Sequence, residues 1–468
     1  MINPIEIAFD NNSLSLAEVL SSLSFALDMT SGQPAGHSQR TCIIGFRVAQ
    51  ELGLDDDAIG SLYHALLLKD SGCSSNAARM FEIFGCDEIA MKRASKVTDW
   101  TNLVDAAKYA SVHTLPKASL LARTQRLFHI ATHQNETANE LYGSRCERGA
   151  QVAMSIGLGE SAALCIRHLD EHFDGNGAPN HLKGDQISLL GRIACFAQTL
   201  EVFAKTFDIS TAYQMATKRS GKWFDPEVVK AAKHFKDDAA FWSTVYGDAS
   251  ETITMLNYRT LTTHVTESRI DAVCDAFAQI VDAKSSFTWE HSSRVRQYAV
   301  QVGEDLGFSE RRLKTLSRAA LLHDIGKLAV PNSILDKPGK PTDEEWACIK
   351  KHPELTQQIL SRISGFERIT EIASAHHERL DGRGYYRGLT GENLDQDMRI
   401  LAVADVFDAL SADRPYRSAM TSSDVFAILD RDSGVALDAE CVTAFRERYL
   451  NKTLAAMSGT RDLRQTAA

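Results

Sequence analysis

Residues 291–307 read HSSRVRQYAVQVGEDLG, and the spacing of their apolar members decides the fold class. Val295, Tyr298, Ala299, Val302 and Leu306 fall at i, i+3, i+4, i+7 and i+11, one face of an α-helix, and Gly307 is placed to cap its C-terminus. Thr342 followed by Glu345 has the spacing of a capping box and opens another helix. The same apolar periodicity runs along the chain, and alternating strand patterns bounded by turns are rare. The expected fold class is all-α.

The motifs on either side of this stretch repeat. HSQR at 37–40 returns as HSSR at 291–294, and 32 residues separate His37 from Lys69 just as 32 separate His291 from His323. FDGNGAP at 173–179 matches LDGRGYY at 380–386, GRIACFAQTLEVF overlays MRILAVADVFDAL, and SGKWFDPEVV parallels SGVALDAECV. Four matches in one order describe a duplication. The expected organisation is a first copy over 1–250, a linker at 251–264 and a second copy over 265–468. The first copy is longer by 47 residues between its second and third motifs.

Composition narrows the class. With 468 residues, 44% hydrophobic and 24% charged, the chain is ordinary for globular protein and unlike disordered or fibrous sequences. No apolar run reaches the roughly 18 residues of a membrane span, and MINPIEIAFDNN does not read as a signal peptide. The nine cysteines are scattered without a CxxC pair, as in a reducing cytosol. A cytoplasmic location is expected. The formal charge of −10 speaks against a nucleic-acid polymer as partner.

After His264 the chain has five histidines, His291, His323, His352, His376 and His377, all in motifs. Each alone also fits a hydrogen-bonded core residue. As a set, with Asp324 beside His323 and Asp405 on a later apolar segment, they point to a metal site. Imidazoles and carboxylates without thiolates suit Mn, Fe, Ni or Zn rather than a structural zinc knot. Seven candidate ligands exceed the needs of one tetrahedral ion, whereas two ions bridged by Asp324 would use them all. Such a pair, roughly 3.5–4 Å apart, suits in-line displacement at phosphorus. Lys327 shares the face of His323 and Asp324 on a continuing helix, either to meet a phosphate oxygen or leaving alkoxide or as a lysine on a solvated turn. Arg414 and Arg417 in SADRPYRSA suit further phosphate oxygens or an exposed loop.

Taken together, HSSRV, LLHDIGKLAVP, KKHPE, HHERLDGRGYYRGLTG and ADVFDALSADRPYR resemble an HD-GYP phosphodiesterase domain, a branch of the HD phosphohydrolase superfamily. The resemblance implies helical bundles and a centre of two divalent transition-metal ions (Mn, Fe or Ni) that hydrolyses bacterial cyclic dinucleotides. One ion would be held by His291, His323, Asp324 and Asp405, the other by Asp324, His352, His376 and His377. Asp324 and Lys327 would be catalytic, and Lys327, Arg414, Arg417, Asp381 and Tyr385 would bind substrate. Two departures stand out. The signature Gly-Tyr-Pro reads Gly384-Tyr385-Tyr386, losing the ring that fixes φ. Phe287 stands where members with a third metal carry glutamate, which favours two.

The first copy keeps His37 and Asp70, but Lys69, Arg145, Leu169, Asp170 and Gln198 occupy the other ligand positions and Cys73 replaces the lysine. Lys69 and Arg145 put cations where metal cations would bind. The first copy therefore reads as non-catalytic, structural in preference to regulatory or dimerising. A degenerate copy joined to a complete one resembles the Vibrio-type phosphodiesterases that degrade 3′,3′-cyclic GMP-AMP (3′,3′-cGAMP), giving linear pApG. The alternatives are a cyclic di-GMP phosphodiesterase giving pGpG and GMP, another HD-superfamily nucleotide hydrolase, or a non-enzymatic module binding nucleotide or GGDEF domains. A homodimer and GGDEF-domain proteins are the further partners considered, and no membrane is.

Overall fold

The computed structural model describes residues 14–247 and 265–450, except 15, 101, 117, 286, 289 and 414–416, and the expected linker at 251–264 lies outside them. Its elements are helices. Among the described residues the only β pairings are isolated bridges, such as that between Asp381 and Thr390. The chain clusters into two compact units: Met1–Ala276 with Ala283–Ser285 and Pro331–Leu335, and Phe277–Asp282 with Ser286–Val330 and Asp336–Ala468.

The first unit opens with α1 (Leu16–Thr30), α2 (His37–Glu51) and α3 (Asp56–Leu68). Next come α4 (Ala77–Phe84), α5 (Glu88–Val97), α6 (Leu103–His113) and α7 (Leu120–Thr132), in the stretch where the first copy is longer. It continues through α8 (Gln134–Ser155), α9 (Glu160–Arg167), α10 (Leu189–Thr206), α11 (Ile209–Lys218), α12 (Pro226–Lys233) and α13 (Ala239–Tyr246). Polar caps start several of them: Asp55 accepts from the Ala58 N–H and Asp208 from the Thr211 N–H. The core lies where α2, α3 and α10 meet, around Ile44, Val48, Leu66, Phe196 and Leu200, all fully buried. Each such Leu or Phe contributes roughly 1.5–3 kcal/mol by leaving water.

A buried acid belongs to the same unit. Glu88, at the start of α5, accepts from the Asn332 N–H at 3.1 and 3.0 Å and from Lys284 Nζ at 3.2 Å. All three residues cluster with the first unit although Lys284 and Asn332 come from the second copy in sequence.

In the second unit, α14 (Glu267–Asp282) delivers its last residues and is followed by α15 (His291–Asp305) and α16 (Glu310–Leu322). A 3₁₀ segment, Ile325–Ala329, leads to α17 (Asp343–Ile349), α18 (His352–Leu360), α19 (Glu367–Ser374), α20 (Gln396–Ser411) and α21 (Ser422–Asp432). The apolar stripe expected on α15 faces inward: Val295, Ala299 and Val302 are buried, and the Tyr298 ring meets Phe407 and Phe445 edge-on. Gly307 follows α15 with φ at 75°, a conformation that favours glycine. The Thr342 and Glu345 capping box forms as expected. Helix α20 is buried along most of its surface through Ile400, Leu401, Val403, Ala404 and Phe407, and it carries Asp405 and Asp408 into this core.

Candidate metal centre

Helix α16 ends at Leu322, with His323 at its C-cap, and the chain tightens into the 3₁₀ segment after Asp324. Lys327 is therefore not on a continuing α-helix, as the spacing suggested. Near three residues per turn, i and i+3 eclipse, and Lys327 Nζ donates to Asp324 Oδ2 at 2.5 Å. Gly326 makes a close approach possible: a Cβ there would lie 2.1 Å from the His352 carbonyl oxygen. That contact brings the first turn of α18, and so His352, against Asp324.

The two oxygens of Asp324 face different histidines. Oδ2 lies 3.5 Å from His291 Nε2 and 3.3 Å from His323 Nε2. Oδ1 lies 3.3 Å from His352 Nε2 and 3.7 Å from His376 Nε2. Asp405 spans the group similarly, with Oδ1 3.3 Å from His291 Nε2 and 3.7 Å from His323 Nε2, and Oδ2 3.7 Å from His377 Nδ1. Ligand-capable atoms gather within 4.8 Å in three sets: His291, His323 and Asp324; His352, His376 and His377; and His323, His376 and Asp405.

The outer ring nitrogens fix these orientations. Nδ1 of His323, His352 and His376 donates to the carbonyls of Ala320, Ile349 and Ala373, each at 2.7 Å. That aims each Nε2 inward. His352 Nε2 and His376 Nε2 then face each other at 3.0 Å. Burial foremost pushes the His352 imidazole down to about 3 and holds that of His376 well below its usual value, so neither carries a second proton to share. Two opposed lone pairs call for a cation. Burial would also lower His323, but Asp324 and Asp405 outweigh it and lift this group to about 9. His291 Nε2, His323 Nε2 and Asp324 Oδ1 are buried without a hydrogen-bond partner, atoms that a divalent ion would satisfy.

His291 differs from the rest: its Nδ1 meets Asp408 Oδ2 at 2.7 Å, and Arg294 Nε donates to Asp408 Oδ1 at 2.6 Å. The sequence reading passed over Asp408. The available signal was an acid three residues after Asp405, matched by Glu201 three residues after Gln198. Trp346 was also missed. Its ring meets Tyr385 edge-on at 5.7 Å, and Tyr385 lies 4.5 Å from the His377 ring, so two exposed aromatics border the histidines.

The remaining candidates have local partners. Asp381 receives a two-pronged ion pair from Arg379 and the Arg383 N–H, which shapes the loop. Glu378 clamps that loop by accepting from Arg387 and Leu389 N–H groups, and a Cβ on Gly384 would stand 2.6 Å from the Glu378 Cα. Arg417 donates to the carbonyls of Ala409, Leu410 and Ser418 at the end of α20. Arg414 lies outside the described residues.

In the first unit the equivalent positions are filled differently. Lys69 is fully buried and ion-paired to Asp70. Lys96 Nζ donates to Gln198 Oε1 at 2.7 Å and approaches Asp70 at 3.9 Å, while Arg145 pairs with Asp170. The outer support survives: His37 Nδ1 and Arg40 both reach Glu201. Gly72 approaches the Arg145 carbonyl as Gly326 approaches that of His352, which supports the pairing of those positions. Protein ammonium and guanidinium groups thus neutralise the carboxylates that metal ions would otherwise meet.

The HD domain family profile matches residues 88–228 and 275–441. The chain is 40% identical over 437 residues to the 3′3′-cGAMP-specific phosphodiesterase 3 of Vibrio cholerae, covering 93% of this chain and 95% of that one. A crystal structure of a cyclic GMP-AMP specific phosphodiesterase of V. cholerae, V-cGAP3, superposes with a TM-score of 0.64 at 36% identity, covering 93% and 98% of the two chains. The cyclic di-GMP phosphodiesterase response regulator RpfG of Xanthomonas campestris is 40% identical over 180 residues, 38% of this chain and 48% of that one.

Proposed function

The chain belongs to the HD domain family, and on that footing we propose that its second copy is a metal-dependent phosphodiesterase that opens 3′,3′-cGAMP to linear pApG. The observation that carries the hydrolytic reading is Asp324, whose two oxygens each face a separate pair of imidazole nitrogens. The substrate reading rests on similarity to a 3′3′-cGAMP-specific enzyme along both copies, whereas the cyclic di-GMP relative RpfG matches 38% of the chain.

His291, His323, Asp324 and Asp405 would hold one ion, and Asp324, His352, His376 and His377 the other. Manganese, iron or nickel suits this donor set. Divalent ions there would supply an activated water and charge neutralisation at phosphorus. The protein's own work is orientation. The carbonyls of Ala320, Ile349 and Ala373 hold three imidazoles with Nε2 inward, and Asp408 holds His291. Lys327 Nζ, partly exposed beside Asp324, neutralises a non-bridging phosphate oxygen or gives a proton to the leaving O3′. Attack at phosphorus with loss of O3′ leaves a 5′-phosphate and a 3′-hydroxyl, the termini of pApG. Among the described residues no helix is long and apolar enough to cross a membrane.

The test incubates the purified protein and a His323→Ala/Asp324→Ala variant with Mn²⁺ and equal 3′,3′-cGAMP and cyclic di-GMP, with products separated by mass-detected chromatography. pApG formed faster than pGpG, by the unmodified protein alone, is the expected result. Faster pGpG would transfer the substrate assignment to cyclic di-GMP, and turnover by the variant would remove the metal site from the reaction.

A further inference from the structure

The first copy has lost its metal ligands, but the stretch in which it is longer builds a cavity. Helices α5 and α6 border an open cavity of about 500 Å³ together with α10 and α11, within the size range of small-ligand sites. Three cations line it, Lys108, Lys218 and Arg219, against the carboxylates of Asp99 and Asp105. Aromatic rings in its lining come from Tyr109, His113 and Phe203.

Arg219 gives this cavity its chemistry. It is 5% exposed, and its Nη1 is buried with no hydrogen-bond partner. Its guanidinium carbon sits 3.8 Å from the Trp223 ring centre and 5.3 Å from that of Phe203, which holds the group in place. Its carboxylate neighbour, Asp99, is 4.0 Å away and also pairs with Lys218 at 3.3 Å. Burial outweighs that one acid and holds the guanidinium below its ordinary pKa. A buried, oriented cation with an uncommitted donor in the lining of a cavity suits a phosphate oxygen, and the aromatic rings beside it suit a planar base.

We propose that this cavity binds a purine nucleoside monophosphate, with the phosphate at Arg219, Lys218 and Lys108 and the base against Tyr109 and Phe203. The first copy is then a ligand-binding domain and not merely a packing partner. This assignment is independent of what the second copy hydrolyses.

The test labels the full chain, in EDTA, with 8-azido-GMP or 8-azido-AMP under ultraviolet light and maps the modified peptides. Label is expected on the peptides carrying Tyr109 or Phe203, falling at least about tenfold in a Lys108→Glu/Lys218→Glu variant, as expected when charge-assisted phosphate contacts are lost. Lys108 and Lys218 are surface positions, so this variant keeps its fold; Arg219→Gln serves as the second variant. Label confined to peptides of the second copy, or unchanged by the charge reversal, overturns the proposal. Inorganic phosphate displacing the label as well as GMP does overturns the nucleotide assignment in favour of a simple anion.

Discussion

His291 Nδ1 and Asp408 Oδ2 lie 2.7 Å apart, and the same relationship joins His37 to Glu201 in the first copy. The ring is thus held by an acid 117 residues along the chain in the second copy and 164 in the first, whether or not the inner ligands survive. Duplication kept the scaffold for an oriented imidazole and altered what the imidazole faces.

Asp408→Asn should therefore weaken metal retention without unfolding the second copy. A fall of about 10- to 100-fold in metal affinity or activity is expected for loss of such an outer carboxylate. Metal content by inductively coupled plasma spectrometry, alongside the initial rate at saturating Mn²⁺, checks it. Full activity and full metal content in the variant would mean that Asp408 serves only packing.

Lys327→Ala should separate metal binding from chemistry. The side chain touches Asp324, and an ammonium group has no lone pair to offer a metal. Metal content should stay near that of the unmodified protein while kcat falls about 100-fold, the lower end for a positioned acid. Equal loss of metal and rate would assign Lys327 to holding the site together.

Trp346→Ala should raise KM for a cyclic dinucleotide about tenfold, in line with the loss of one base-stacking surface, and leave kcat nearly unchanged. The ring is 40% exposed, so its removal opens no core cavity. Trp346→Phe should recover most of the affinity. A change in kcat alone, measured by steady-state kinetics, would place the ring's effect on the histidines instead.

Asp28 predicts a pH dependence of stability in the first copy. Burial foremost lifts its carboxyl from 3.8 to about 7, against the Lys69 charge and two hydrogen bonds from Ser38. A carboxyl that holds its proton more tightly when folded stabilises fully below the unfolded pKa, and that contribution is lost as pH rises from about 4 through 7. Asp28→Asn keeps an oxygen for Ser38 and removes the titration. The variant should exceed the unmodified protein at pH 8 by roughly 2–4 kcal/mol and match it near pH 4. Urea melts of the first copy's transition at both pH values decide; an equal offset at the two would sink the prediction.

Much of this was legible in the residues. The α15 stripe, the Gly307 cap and the Thr342 box follow from local periodicity and capping, which act within a turn or two. The candidate set was legible because all five histidines after His264 fall in motifs, and the structure brings these and the two aspartates together. Other features were hidden for a physical reason. Asp408 meets His291 across 117 residues, and an acid in a helix at that spacing looks like any other. Lys327 reaches Asp324 through a 3₁₀ turn whose tightening no apolar pattern announces. Trp346 gains meaning only from a ring brought to it by a loop that Glu378 clamps.

Glu88 bears on how such a protein could be divided. A duplicated gene ordinarily offers a seam, yet the first unit includes Ala283–Ser285 and Pro331–Leu335. These segments begin eight residues ahead of His291 and end eight residues beyond Lys327. A fragment beginning at residue 265 would keep every proposed ligand, but Lys284 and the Asn332 backbone would lose the Glu88 carboxylate they share. The second copy is then not a portable cassette. Transplanting it to another protein would require carrying the α5 turn along or redesigning both segments, and natural recombination would face the same constraint.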